Sequence, residues 1–232
     1  MIASWREFWD RPHRIYVNDR HRRVHYARVA ADIVSELPAT PAVVLDYGCG
    51  DALDAATVAA RCRKLILSDS AATVRSGLKS RNAAIPNIEV LAPEEVPALP
   101  DSSVDLVVAN SVLQYLTREE CAALARMLRG KLARGGRLIL ADVVPPHGGI
   151  VADVGSLLGT ALREGFFVAA LGGLAQTFVS DYRTLRNRLG LTTYEEQEIR
   201  ALLEQVGYTT ERRPNNFGFN QGRMTIIARV RG

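Results

Sequence analysis

Cysteine is scarce in this sequence. Cys49, Cys62 and Cys121 are the three in 232 residues, they stand far apart, and none belongs to a CxxC pair. Neither a disulfide framework nor a metal site is therefore indicated. A reducing, cytoplasmic setting fits. Long apolar runs are lacking too: the longest uncharged stretch, Gly165 to Ser180, is glycine-broken and short for a membrane span. The opening MIASWREFWDR has no apolar signal-peptide core. Zinc-finger and RNA-recognition signatures are missing. Basic residues gather near the start (Arg11, Arg14, Arg20, Arg22, Arg23) with His13, His21 and His25. They lack the interleaved aromatics that single-stranded nucleic acid requires, so nucleic acid is not an expected partner.

What is present is globular. Hydrophobic residues make up 47% and charged residues 23%, a profile that argues against disorder. The length suits one domain, with room for an elaboration. The formal net charge of +4 reads as a scattered basic surface or as attraction to anionic partners or a membrane face.

The hydrophobic pattern alternates between strands and helices. Val24, Ala27, Ala31 and Val34 recur at helical spacing and predict a helix over 18–37, closed by Pro38. A buried strand, Ala42 to Leu45, then delivers Asp46-Tyr47-Gly48-Cys49-Gly50. A helix from Asp54 to Ala60 and a strand from Leu65 to Leu67 follow, the strand ending at Ser68-Asp69. Helix 71–81, strand 88–91 and strand 104–109 continue the rhythm. Thr117 with Glu120 three residues on is a capping box for a helix to about Leu132. Gly135-Gly136 is expected to break that helix before a fifth strand, Leu138 to Val143. Five such steps imply a parallel sheet with helices on both faces. Beyond Pro145-Pro146 comes a glycine-interrupted apolar helical region, 147–190. A capped helix, Thr193 to Val206, stopped by Gly207, and strands 208–213 and 224–230 complete the pattern.

The chemistry concentrates where the first strand ends. In an open parallel sheet, ligands bind beyond the carboxyl ends of the strands where strand order reverses. Gly48 and Gly50 let the backbone turn and approach a ligand. A dinucleotide fingerprint requires a third small residue, but the count from Gly48 reaches Leu53. Asp46 would repel a pyrophosphate and would face a positive group. Asp69, at the end of the second strand, suits a pair of ribose hydroxyls. The alternative for both acids is capping of helices or turns.

These residues resemble a known family. VLDYGCGDA, LSDSA, VDLVVANSVLQYL and LARGGRLILADV are similar to four motifs of class I, Rossmann-like S-adenosylmethionine-dependent methyltransferases, over about Val43 to Val144. The resemblance implies a seven-stranded, mostly parallel sheet, with the last strand antiparallel and a helical insertion after the fifth. It implies one domain over 1–232: an N-terminal helical lid at 1–37, a cofactor-binding core at 42–144, the insertion at 147–190, and a C-terminal helix with two strands at 193–232. It implies S-adenosylmethionine as cofactor. Asp46, Gly48, Cys49 and Gly50 would line its methionine part, with Tyr16 above from the lid. Asp69 would hold the ribose, with Ser70 beside the adenine. Asn110 would offer its backbone carbonyl to the ammonium, and Gln114 would lie near the sulfonium. Two departures stand out. Ala52 replaces a common glycine, and Ala92-Pro93-Glu94-Glu95 replaces a common aspartate, leaving adenine to a main-chain group or to Glu94.

Methyl transfer is a direct displacement, for which alignment and exclusion of water matter most; a general base is needed only for an acceptor protonated at neutral pH. His21 and His25 share a helix face and are the candidate catalytic bases, against solvent-facing members of a basic helix. Phe166 and Phe167, in the insertion, are candidate acceptor contacts. The insertion is equally a candidate for packing, for a homo-oligomer interface or for membrane-surface association. Asn215, Asn216 and Arg223 are candidate acceptor contacts, Arg223 for an anion, against simple turn chemistry. The expected function is methylation of a small, partly apolar molecule at oxygen or nitrogen. The competing readings are a non-catalytic cofactor binder and a dinucleotide-dependent oxidoreductase.

Overall fold

The computed structural model describes residues 5–10, 16, 18–147, 159, 162 and 190–231. Seven strands form one sheet: β1 (Val43–Tyr47), β2 (Lys64–Ser68), β3 (Ile88–Leu91), β4 (Val104–Asn110), β5 (Leu132–Val143), β6 (Tyr208–Arg212) and β7 (Met224–Val230). Their order is β3-β2-β1-β4-β5-β7-β6. Pairings from β3 to β5 are parallel, and β7 is antiparallel to both β5 and β6. The chain builds outward from β1 to β3 and then returns to lay β4 on the other side of β1. The crevice outside the carboxyl ends of β1 and β4 is therefore the switch point of the sheet.

Helices cover both faces, which is why the central strands read as continuous apolar runs. Side chains alternate across the sheet. Leu45, Val107, Leu138 and Leu140 face α5 (Arg118–Lys131) and α6 (Glu196–Gln205). Val44, Leu65, Leu67, Leu106 and Ile139 face α2 (Asp19–Ser35), α3 (Ala55–Ala59) and α4 (Ala72–Arg81). A short α1 (Trp5–Trp9) precedes them. Asn18 caps α2 by accepting the His21 N–H at 2.8 Å, and both halves of the Thr117–Glu120 capping box are formed.

Two local expectations are corrected. Gly135-Gly136 does not break α5: the helix ends at Lys131, where Ser103 N–H donates to the Lys131 carbonyl, and β5 begins at once. The glycines instead serve an irregularity in the β4–β5 pairing, since a Cβ on Gly136 would lie 2.9 Å from the Ala133 carbonyl oxygen. Thr193 is not the cap of α6. The flanking residues are pinned elsewhere, Thr192 Oγ1 to the Leu116 carbonyl and Tyr194 N–H to the Val144 carbonyl, so the helix starts at Glu196 behind Glu195. Apart from residues 147, 159, 162 and 190, the insertion lies outside the described residues, and with it Phe166 and Phe167. Among the described residues, no helix is long and apolar enough to cross a membrane.

Candidate active site

A cavity of about 800 Å³ opens at the switch point. Its floor is the turn after β1. Gly48 and Cys49 donate their N–H groups to the Ser68 carbonyl at 2.7 and 3.1 Å, stitching the turn to the end of β2. Gly48 has φ +73° and Gly50 has φ +57°, a region open to glycine and costly to residues bearing a Cβ. Space is as tight as conformation. A Cβ on Gly48 would come within 2.4 Å of Val112, and one on Gly50 within 2.6 Å of the Tyr26 hydroxyl. Ala52, which replaces the third glycine, also takes a positive φ of 37°.

Two acids serve this turn differently. Asp69 fixes it: Oδ2 accepts the Gly50 N–H and Oδ1 accepts the Ala71 N–H, both at 2.9 Å. Burial raises its carboxyl pKa against those bonds. Asp46 is buried, and its carboxylate takes part in no hydrogen bond or ion pair among the described residues. Burial, helped by Asp69, pushes its pKa up to about 7. Close by, the Asn110 side-chain oxygen is buried without a donor. A buried acceptor with no partner is costly, and two such acceptors lining one cavity suit a cationic, hydrogen-bond-donating group. Burial also pushes the Cys49 thiol well up, so it is no nucleophile at neutral pH.

The roof comes from the N-terminal segment. Tyr16, His21, His25 and Tyr26 pack as one aromatic group, with ring centroids 5.1 to 5.9 Å apart. The Tyr26 hydroxyl accepts the Asp51 N–H at 2.8 Å and so ties α2 to the turn. His21 and His25 line the cavity rather than facing solvent. Burial drives both imidazoles down to about 4, with His25 adding to the shift of His21. At neutral pH they are in the uncharged, proton-accepting form, and the lowered pKa makes each a weak base. Trp5 and Trp9 pack on Tyr115, with centroids at 4.7 and 5.5 Å, and complete an aromatic wall.

Of the acceptor candidates on the β6–β7 hairpin, Arg223 reaches the cavity and the two asparagines do not. Asn216 is turned inward, where its side chain bonds Asp142, Asn220 and Thr225. Asn215 sits exposed and gives its carbonyl to Arg213. Among the described residues neither asparagine lines the cavity, and the contacts of the Asn216 side chain are those of a turn. Ser70, Gln114 and Pro93 line the cavity, and Glu94 is not among its lining residues. Sequence reasoning passed over Ser111 and Asp142, which line it as well. Asp142 lies near the end of β5, three residues beyond the level of Asp46 in the sheet register. That strand-end acid was a signal the motifs obscured.

Residues 45–140 match a family described as a methyltransferase domain. Over 148 residues the chain is 30% identical to trans-aconitate 2-methyltransferase of Methylobacterium radiotolerans, a match covering 62% of this chain. It covers 54% of the relative, so the chain spans about half the length of that curated protein. Among solved structures, phosphoethanolamine N-methyltransferase 1 of Haemonchus contortus, in complex with phosphoethanolamine and S-adenosylhomocysteine, is 26% identical. It superposes with a TM-score of 0.51 over 62% of this chain and 32% of that one. Magnesium protoporphyrin IX methyltransferase from Synechocystis, with bound S-adenosylhomocysteine, is 19% identical. It covers 97% of this chain and 90% of that one at a TM-score of 0.57, and shares the fold. The glycine turn and the paired strand-end acids fall inside the stretch that matches the methyltransferase domain, and the fold is shared with the S-adenosylhomocysteine-bound methyltransferase structures to which the chain is similar.

Proposed function

We propose that the chain binds S-adenosylmethionine at the switch point and transfers its methyl group to a small molecule held in the same cavity. The observation that carries the reading is the pair of buried, unpartnered acceptors, the Asp46 carboxylate and the Asn110 side-chain oxygen, beside a turn that only glycine fills. They fit an α-ammonium group. Asp69, already anchored by two N–H groups, keeps lone pairs for ribose hydroxyls. The cofactor supplies an electrophilic methyl carbon next to a positive sulfur. The chain's own residues bind, orient and exclude water. Tyr16 and Tyr26 cover the turn, Gln114 and Asn110 flank the β4 side, and Trp5, Trp9 and Tyr115 offer apolar contact to the acceptor. Residues 42–144 act as the cofactor-binding core, beneath the lid at 1–37.

The curated relative is named for a carboxylate acceptor, and the phosphoethanolamine enzyme for an amine, so the family likeness leaves the acceptor open. Calorimetric titration tests the cofactor half. S-adenosylmethionine and S-adenosylhomocysteine should bind in the micromolar range, and nicotinamide dinucleotides should not. Tight dinucleotide binding without binding of either sulfur compound sinks the reading. Turnover is then followed as S-adenosylhomocysteine released, with trans-aconitate among the first acceptors tried.

A further inference from the structure

Gln114 lies in the single helical turn Leu113–Tyr115 that follows β4, and it is buried yet lines the cavity. Its main chain is fixed by the segment before α6. The Thr192 N–H donates to the Gln114 carbonyl at 3.0 Å, and Thr192 Oγ1 donates to the Leu116 carbonyl at 2.6 Å. Its side chain is fixed at one end: Gln114 Oε1 accepts from Arg223 Nη1 at 3.4 Å. The amide nitrogen has no hydrogen-bond partner among the described residues. A buried donor left without an acceptor is costly, and the open side of this one is the cavity.

Which way round the amide stands follows from its neighbour. A guanidinium only donates, so the Gln114 oxygen must face Arg223 and the nitrogen must face away. Arg223 is itself engaged: the same Nη1 donates to Asp142 Oδ2 at 2.6 Å. Asp142 is fixed from further directions. Ser111 Oγ donates to that Oδ2 at 2.6 Å, Asn216 Nδ2 donates to Oδ1 at 3.3 Å, and the Asp142 N–H donates to Asn216 Oδ1 at 3.1 Å. Ser111 and Asp142 stand just beyond the paired Asn110 and Ala141, with φ +58° and +59°. Non-glycine residues in this left-handed region store strain, which persists where surrounding contacts over-determine it, commonly at ligand sites. Ser111 and Asn216 thus hold Asp142, Asp142 holds Arg223, and Arg223 sets the Gln114 amide.

We propose that Gln114 is a specificity-determining residue for the acceptor: its amide nitrogen donates to a carbonyl-type oxygen of the molecule to be methylated, and Arg223 and Asp142 are positioning residues that keep the amide in this orientation. This rests on the methyltransferase reading. An amide N–H₂ only donates, so it favours an atom with a lone pair and disfavours an ammonium or a hydrocarbon group in the same place. Arg223 takes no direct part. Its charge is matched by Asp142, so the group offered to the acceptor is a neutral donor, which suits a carbonyl without demanding an anion. The ammonium of the cofactor has no use for this donor, since its partners are the Asp46 carboxylate and the Asn110 oxygen. The apolar wall begins at the next residue, Tyr115, on which Trp5 and Trp9 pack. Donor and wall standing side by side fit a carbonyl carried on a flat apolar body.

Two titrations keep the failures apart. S-adenosylhomocysteine is first titrated into the wild-type chain; absence of binding sinks the methyltransferase reading and this assignment with it. The S-adenosylhomocysteine complex is then titrated with three probes: acetophenone, isopropenylbenzene, which puts CH₂ in place of the carbonyl oxygen in the same planar shape, and benzylamine. The ratios of their affinities are the readout. Gln114→Glu keeps an oxygen for Arg223 and turns the cavity side from donor to acceptor. Acetophenone should lose at least tenfold relative to isopropenylbenzene, and benzylamine should gain. Gln114→Leu should lose the acetophenone preference with no gain for benzylamine, and it serves also if the glutamate variant does not fold. Arg223→Lys keeps a donor for Oε1 and should keep the wild-type ratios within about twofold. Arg223→Met combined with Asp142→Asn removes that donor without stranding a carboxylate, lets the amide turn over, and should lower the acetophenone ratio at least threefold. A merely structural role would weaken all three probes alike and leave the ratios unmoved. Unchanged ratios in the Gln114 variants, or failure of acetophenone to bind the wild-type complex, overturns the assignment. So does a loss of S-adenosylhomocysteine affinity beyond tenfold in Gln114→Leu, which would put the amide on the cofactor. Equal ratios in the two Arg223 variants overturn the positioning role.

Discussion

The Tyr26 hydroxyl closes over Gly50: it accepts the Asp51 N–H at 2.8 Å and stands 2.6 Å from the point where a Cβ on Gly50 would lie. A helix from the N-terminal segment and the turn after β1 are thereby built as one unit. Gly50→Ala should damage both. The new methyl meets the hydroxyl, and φ +57° costs an L-residue about 1–2 kcal/mol before any clash. We expect cofactor affinity to fall at least tenfold and the thermal midpoint to drop by several degrees. Calorimetry and thermal unfolding of the variant check this; wild-type affinity would show that the turn has room the structure denies.

Asp46 makes cofactor binding a proton-linked event. Its carboxyl is raised from 3.8 to about 7 by burial and by Asp69. A raised carboxyl contributes stability that is full below the ordinary value and is lost as pH rises through about 7. A bound cation favours the ionised form. Binding should therefore release roughly half a proton at pH 7, and affinity should strengthen as pH climbs from 5.5 to 7.5. Titration in two buffers of different ionisation enthalpy counts the protons. Asp46→Asn should lose the release together with about 1.5–3 kcal/mol of binding.

Much of this architecture was legible beforehand, for identifiable reasons. Strands β1, β2, β4 and β5 are short apolar runs buried on both faces, and such runs announce themselves. The cofactor turn was legible because Gly48, Gly50, Asp46 and Asp69 are constrained locally, by backbone conformation and strand-end position. The acceptor side was not. Asp142 is bonded to Arg223, a residue 81 positions away, and Asn216 looked available for a ligand because sequence does not reveal which way a turn amide points. The Gly135-Gly136 pair was misread because glycine signals a break in a helix and an irregularity in a strand with the same letters.

His21 and His25 were the candidate bases, and their buried setting makes them neutral ones. Both imidazoles titrate near 4 instead of 6.5. The pH profile of kcat should then show no limb between pH 6 and 7, and His25→Asn should leave its shape unchanged. For stability the sign is opposite to that of Asp46. A depressed folded pKa gives stability that is present above 6.5 and is lost as pH falls from 6.5 toward 4. For His25 this loss is on the order of 1–2 kcal/mol, with a smaller share for the more exposed His21. Denaturant unfolding at pH 7 and pH 4.5 should show His25→Asn losing less than the wild type.

Asp32 joins the two walls of the cavity from behind. Buried in α2, its Oδ2 accepts the Gly218 N–H at 2.8 Å and the Arg28 guanidinium at 2.9 Å. Gly218 lies in the hairpin that carries Arg223, and α2 carries His21, His25 and Tyr26. Asp32→Ala strands a buried N–H and removes the buried partner of a half-exposed arginine, at a cost of about 1–3 kcal/mol. The midpoint in urea should fall accordingly, with the slope unchanged. A shift below about 0.5 kcal/mol would show that the hairpin is held by its other contacts.

Asp69 is the acid where binding and folding cannot be separated. A strand-end carboxylate at a cavity mouth looks expendable for the fold, but this one is buried and holds the Gly50 and Ala71 N–H groups at 2.9 Å each. Asp69→Ala leaves both donors without their acceptor and frees the turn from the start of α4. We expect cofactor affinity to fall by about 1–3 kcal/mol and unfolding free energy to fall by a similar amount. Asp69→Asn keeps one acceptor oxygen but points an amide N–H₂ at a backbone N–H, so it should recover little of either. The two losses can be told apart by titrating S-adenosylhomocysteine well below the melting range, where both variants remain folded. If Asp69→Ala binds as the wild type does there, the acid serves the fold alone. If it unfolds as the wild type does yet fails to bind, the acid serves the ligand alone. The bonds from Gly50 and Ala71 require both to fail together.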